Sequence, residues 1–193
     1  GFGTQGEARR MAKKFSGAKE AYLPGFALTE TGDLYGWGVA LGDRFCDDPP
    51  KNNGEPALIL SHVREFYPGD QGDFIAVMED GALYVRDSAA PASAELLSPV
   101  RLLEKVSYVS TDMDILSAVI TQNGTLYRLR KVDGVTKAET VLENVTAFDG
   151  SSERFLAISG KYLMLGDVTY HEVDGSITQQ LEPPRKIAVL TGR

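Results

Sequence analysis

Four segments of this chain resemble one another, and that repeat limits the possible folds more than any other feature of the sequence. They run over residues 26–35, 74–84, 116–127 and 155–163. In each, a short apolar run such as Phe74-Ile75-Ala76-Val77 meets a glycine-containing turn, and a second run rich in Leu, Tyr and Val leaves it. Asp80-Gly81 and Asn123-Gly124 suit a tight hairpin turn, whose central residues need positive φ. The turn glycines Gly32, Gly81, Gly124 and Gly160 lie 49, 43 and 36 residues apart. No long helical period separates the hairpins, so the expected class is all-β.

A shorter element precedes each hairpin. Val63-Arg64-Glu65-Phe66-Tyr67-Pro68-Gly69, Val106-Ser107-Tyr108-Val109-Ser110 and Val145-Thr146-Ala147-Phe148-Asp149-Gly150 alternate as half-buried strands do, and residues 18–25 take this part for the first hairpin. Pro56 and Pro99 each stand seven residues before the valine of such an element. One unit therefore reads as proline, strand, turn, apolar strand, tight turn, Tyr-containing strand, variable loop. The units fall near 18–55, 56–98, 99–138 and 139–183, with residues 184–193 opening a partial fifth. Residues 1–17 form an N-terminal segment that is expected to be helical or disordered.

Phe-Ala-Leu-Thr-Glu-x-Gly-Asp-Leu-Tyr-x-Trp-Gly, residues 26–38, resembles the repeat of the regulator of chromosome condensation family, and residues 63–69 fit the strand that leads into it. The resemblance extends over about residues 18–193. It implies a β-propeller-like array of about four antiparallel hairpin repeats, small, open or incomplete, acting as an interaction platform. Only the first unit has the full Gly36-Trp37-Gly38. The others read Val85-Arg86-Asp87, Arg128-Leu129-Arg130 and Met164-Leu165-Gly166. No segment matches the family's nucleotide-exchange wedge, so no exchange activity is carried over.

Charge narrows the partners. The formal net charge of −7 repels a phosphate backbone, so nucleic acid is not expected as a partner. No run of 18 apolar residues occurs, so no membrane insertion through a helix is expected. One cysteine, Cys46, and two histidines, His62 and His171, supply too few ligands for an internal disulfide or most zinc sites. No metal or cofactor is expected. The compartment stays open, with the cell envelope or extracellular space of a bacterium favoured over the cytoplasm.

The longest irregular stretch, residues 42–55, is the candidate binding loop. Arg44, Phe45, Asp47 and Asp48, with the nearby Trp37, are the candidate ligand-binding residues, Phe45 as an apolar anchor and Trp37 as a stacking surface. The aspartates of this loop could offer oxygen to calcium, but their spacing does not fit the twelve-residue calcium loop and Pro49-Pro50 interrupts it. Cys46 beside Arg44 reads as a small, partly buried residue rather than an activated thiol. No nucleophile elbow, P-loop, His-Glu-x-x-His or dinucleotide signature is present, and no catalytic residue is assigned. The expected function is a non-enzymatic platform that binds a protein or a glycan. The alternatives are a carbohydrate-active envelope enzyme and a structural or assembly domain of a larger surface protein. Unpaired strand edges would also favour a homo-oligomer.

Overall fold

The computed structural model describes residues 17–41, 55–87, 98–111, 117–150, 154–173 and 176–191. The strands are β1 Ala18–Tyr22, β2 Phe26–Thr29, β3 Leu34–Gly36, β4 Ala57–Leu60, β5 Val63–Pro68, β6 Phe74–Met78, β7 Leu83–Arg86, β8 Val100–Leu103 and β9 Val106–Ser110. They continue with β10 Ser117–Thr121, β11 Leu126–Val132, β12 Val135–Leu142, β13 Val145–Gly150, β14 Arg154–Ser159, β15 Tyr162–Val173, β16 Ser176–Leu181 and β17 Arg185–Val189. Among the described residues the only helical segments are two 3-10 turns, Gly38–Leu41 and Asp70–Gly72.

The strands build four antiparallel sheets in chain order: β1-β2-β3-β4, β5-β6-β7-β8, β9-β10-β11-β12, and β13-β14-β15 with β17 at its outer side. The chain is all-β, and each sheet has the four-stranded up-and-down form of a propeller blade. The elements expected before each hairpin are the first strands β1, β5, β9 and β13. Sequence unit and sheet are offset by one strand, because the run after Pro56 or Pro99 is the fourth strand of the preceding sheet. The tail that reads as the opening of a fifth unit is the fourth strand of the fourth sheet. The pairing Leu163↔Ala188, Met164↔Lys186 skips Ile187, just as Leu34↔Leu60, Tyr35↔Leu58 skips Ile59 and Leu83↔Leu103, Tyr84↔Arg101 skips Leu102. The far half of β15 pairs with β16 as a separate ribbon.

The residue before each first strand is left-handed: Gly17 (φ 71), His62 (63), Lys105 (53) and Asn144 (55). This conformation aims its carbonyl at the hairpin of the same sheet, where it accepts from Glu30 N (2.7 Å), Glu79 N (2.9 Å), Gln122 N (2.7 Å) and Gly160 N (3.1 Å) respectively. A single-residue bulge follows at Lys19, Arg64, Ser107 and Thr146. Three of the four left-handed residues are not glycine, so the fold accepts about 1–2 kcal/mol of backbone cost at each to satisfy these hairpin amides.

The sheets group into two compact units, one holding the first two sheets and the other most of the last two. Within each unit a second hydrogen bond joins sheet to sheet. Val63 N donates to the turn carbonyl of Gly32, and Val145 N donates to that of Gly124, both at 2.8 Å. Neither glycine can be replaced cheaply. Gly32 and Gly124 have φ +81 and +80, and a Cβ on either would lie 2.9 Å from the carbonyl oxygen of Val63 or Val145. Around these joints lie two apolar cores. One gathers Phe26, Leu28, Leu34, Val63, Phe66, Phe74 and Ala76. The other gathers Ala118, Leu126, Val145, Phe155, Ala157, Met164 and Val168.

Gly160 provides an internal control. Its φ of +57 is also left-handed, but a Cβ there meets nothing within 4 Å. Gly160→Ala should cost only the backbone term of about 1–2 kcal/mol. Gly32→Ala and Gly124→Ala should each cost more, because a carbonyl must also move. Urea midpoints rank the three variants, and equal losses would contradict the joint.

Candidate functional site

One cross-strand position accounts for the uneven family signature. Gly25 pairs with Trp37, whose N–H donates to the Gly25 carbonyl at 3.0 Å. The equivalent pairs are Phe74↔Arg86 in the second sheet and Phe155↔Gly166 in the fourth. Where the second strand has glycine, the third has tryptophan, and a Cβ on Gly25 would collide with the Trp37 carbonyl at 2.5 Å. In the fourth sheet the bulk is reversed, and a Cβ on Gly166 would sit 2.1 Å from the Phe155 ring. Trp37, expected as a ligand-stacking residue, is half-buried and packs over Gly25.

In the second sheet both partners are large. Arg86 is 4% exposed, and its guanidinium stacks 4.8 Å from the centre of Phe74 and 5.3 Å from that of Phe26. Its Nε donates to the Gly72 carbonyl at 2.8 Å and its Nη2 donates to the same oxygen. Burial pulls its pKa down to about 10, against the pull of Asp73, so the cation persists at neutral pH. Arg86 thus fastens the Asp70–Gly72 turn to an aromatic cluster in which the Phe26, Phe66 and Phe74 rings stand 5.1–5.7 Å apart. Arg86→Ala should cost about 2–4 kcal/mol by combining a large-to-small core change with an orphaned carbonyl. Arg86→Lys should not restore the loss, because an ammonium neither forks nor stacks as guanidinium does. Urea unfolding of both variants tests this, and full rescue by lysine would contradict it.

The surface above the second joint differs in kind. An open groove of about 570 Å³ runs along the third and fourth sheets, lined among others by Ser107, Tyr108, Gln122, Asn123, Asn144, Thr146 and Phe148. Tyr108 is 45% exposed, and its ring lies 6.1 Å from Phe148, which in turn lies 5.6 Å from the buried Phe155. The Asn123 carboxamide accepts from Thr121 Oγ1 and from Thr125 N, which fixes the floor of the groove. Ser107 Oγ donates to the Ile120 carbonyl at 3.0 Å.

The first joint shows what the groove has lost. Register places Lys19-Glu20 where the third sheet has Ser107-Tyr108, and Arg64-Glu65 where the fourth has Thr146-Ala147. Those charges pair locally, Lys19 with Glu20 at 3.3 Å and Arg64 with Glu65 at 2.9 Å. His62, at the position of Asn144, pairs with Glu79 at 3.5 Å. Tyr22 donates to Glu20, which lowers the carboxyl pKa, while burial, and then this hydrogen bond, raises that of the phenol. Among the described residues, no aspartate, glutamate, lysine, arginine or histidine lines the groove of the second unit.

The expected binding loop lies outside the described residues, and with it Arg44, Phe45, Cys46, Asp47 and Asp48. His62 and His171 are exposed surface residues, each beside a glutamate. Among the described residues no three His, Cys, Asp or Glu side chains gather where they could hold a metal ion. No helix among them is long and apolar enough to cross a membrane. Tyr108 and Asn144 escaped the sequence reading as site residues. Their signal was the replacement of charge pairs by neutral side chains at matching positions, legible only once the bulges set the register.

These features define a chain of propeller-type blades with an uncharged groove along one pair of them. No family model matches the sequence, and no curated protein matches it. Among solved structures the chain is similar to Prp20p from Saccharomyces cerevisiae, described together with its binding properties to Gsp1p and histones. The identity is 15% and the TM-score 0.47, over 84% of this chain and 49% of that one. The chain thus spans about half the length of that structure.

Proposed function

We propose that this protein is a non-enzymatic interaction platform that takes an uncharged, extended polypeptide segment into the groove beside Tyr108. The contrast between the two joints carries this reading. The same backbone positions are covered by self-paired charges in the first unit and by neutral side chains in the second, where the exposed Tyr108 replaces Glu20 and Ala147 replaces Glu65. Rigid sheets hold the groove, as scaffolds commonly hold binding surfaces.

The chemistry favours a peptide. Tyr108 and Phe148 are tilted 56° to each other, which gives an apolar notch for one anchoring side chain rather than a flat platform for a sugar ring. Gln122, Asn123, Asn144 and Thr146 offer donors and acceptors suited to a peptide backbone. A tyrosine in such a place supplies a large contact at low entropic cost.

Selection of random peptides on the immobilised protein should enrich neutral sequences with one aromatic or branched apolar anchor. Tyr108→Ala should weaken the selected peptides at least tenfold, about 1.4 kcal/mol, without changing the melting temperature, and Tyr108→Glu should do the same. Peptides that bind Tyr108→Ala unchanged, or selection of glycans in place of peptides, would overturn the proposal.

A further inference from the structure

The turn of the third hairpin carries the groups needed to change its own charge. Thr121 N donates to the Thr125 carbonyl at 3.0 Å, and Gly124 N donates to the Thr121 carbonyl at 2.8 Å. Asn123 is exposed at the tip, directly before Gly124, whose φ is +80. Its Oδ1 accepts from Thr121 Oγ1 at 2.5 Å and from Thr125 N at 3.3 Å. Two donors on one amide oxygen polarise the carbonyl and stabilise the negative charge that develops during attack on Cγ, as an oxyanion hole does. The adjacent nucleophile is the backbone nitrogen of Gly124, which has no side chain to crowd the approach. Asn144 also lines the groove, but the residue after it is Val145, whose branched Cβ hinders the same attack. The second sheet shows that this turn accepts a carboxylate in place of the Asn123 carboxamide. Asp80 stands there, before Gly81 with φ +82. Gly81 N donates to the Met78 carbonyl at 2.9 Å, Met78 N to the Ala82 carbonyl at 2.8 Å, and Ala82 N to Asp80 Oδ1 at 2.8 Å. These are the backbone bonds of the Asn123 turn, one for one.

We infer that Asn123 is a self-modification site, where deamidation puts a carboxylate into the uncharged groove and leaves the fold intact. Gly124 N attacks Asn123 Cγ. The new N–Cγ bond replaces the bond from Cγ to the amide nitrogen, which leaves as ammonia with the proton that Gly124 N gives up. The product is a cyclic imide, and water opens it. Addition at Cγ restores the backbone and leaves aspartate. Addition at the main-chain carbonyl leaves isoaspartate, with an extra carbon in the main chain. Attack requires the bond from Gly124 N to the Thr121 carbonyl to open, so the rate follows local opening of the turn. The aspartate product keeps both donors, and Thr121 Oγ1 then donates to a charged oxygen, which is the stronger bond. The isoaspartate product displaces Gly124, whose carbonyl takes the Val145 N–H at 2.8 Å, and so loosens the joint. The conversion does not depend on what the groove binds. It sets the first charge among the described lining residues.

Incubation of the folded protein in mildly alkaline buffer, followed by tryptic mapping, tests this. The fragment 106–128 should gain the mass of an amide-to-acid change at Asn123, its only asparagine, while Asn144 in the fragment 138–154 stays unchanged. Thr121→Val should slow the conversion about tenfold, less than the hundredfold or more of an enclosed oxyanion site, because this turn is open to water. Thr121→Ser keeps the hydroxyl and should convert at the parent rate. Asn123→Asp should match the parent in circular dichroism and urea midpoint. An Asn123 that stays an amide under conditions that convert a synthetic peptide of residues 106–128 would overturn the inference. So would equal rates in the valine and serine variants, or an Asn123→Asp protein that loses the fold.

Discussion

The structure depends on where one carbonyl points. A left-handed residue before each first strand turns its C=O back onto the hairpin of its own sheet. The bulge after it resets the strand so that the next N–H can reach the preceding sheet. In each unit that N–H finds a turn glycine, and the two sheets lock at 2.8 Å. A hydrogen bond of this kind contributes only about 0.5–1.5 kcal/mol net, but it sets the spacing at which the apolar faces meet. Burial of Phe26, Leu34, Phe66 and Phe74, or of Leu126 and Phe155, then supplies the larger stabilisation.

Within that frame the side chains are exchangeable so long as volume is conserved. The pairs Gly25/Trp37 and Phe155/Gly166 place one large and one small residue on opposite strands, and they do so in opposite order. Phe74/Arg86 keeps two large groups by stacking them and giving the guanidinium a backbone acceptor. A motif that records only the third-strand residue therefore reads as conserved in the first sheet and lost in the others. The tryptophan of the first sheet is one way to fill a position that the fold always fills.

The hairpins and the strands before them were legible because period-two alternation and glycine turns are local signals. The fourth strands were harder. Ala57–Leu60 and Val100–Leu103 pair with strands reached across long loops, so sequence order alone assigns them to the following unit. The tail at Arg185–Val189 was misplaced for the same reason. The Asp133-Gly134 turn that brings β12 beside β11 is itself a recognisable hairpin signal. The groove was not legible at all. Tyr108 is ordinary in a strand, and it becomes notable only against Glu20 and Glu65 at matching positions. The left-handed Lys105 was equally hidden, since lysine does not favour that conformation.

The central claim is that the two sheets of each unit are held by the turn-to-strand joint. Amide hydrogen exchange read by NMR tests it most directly. The account predicts that the N–H groups of Val63 and Val145 exchange as slowly as those in the middle of β6 and β14. Exchange of both at the rate of exposed turn amides, with β6 and β14 still protected, would contradict it.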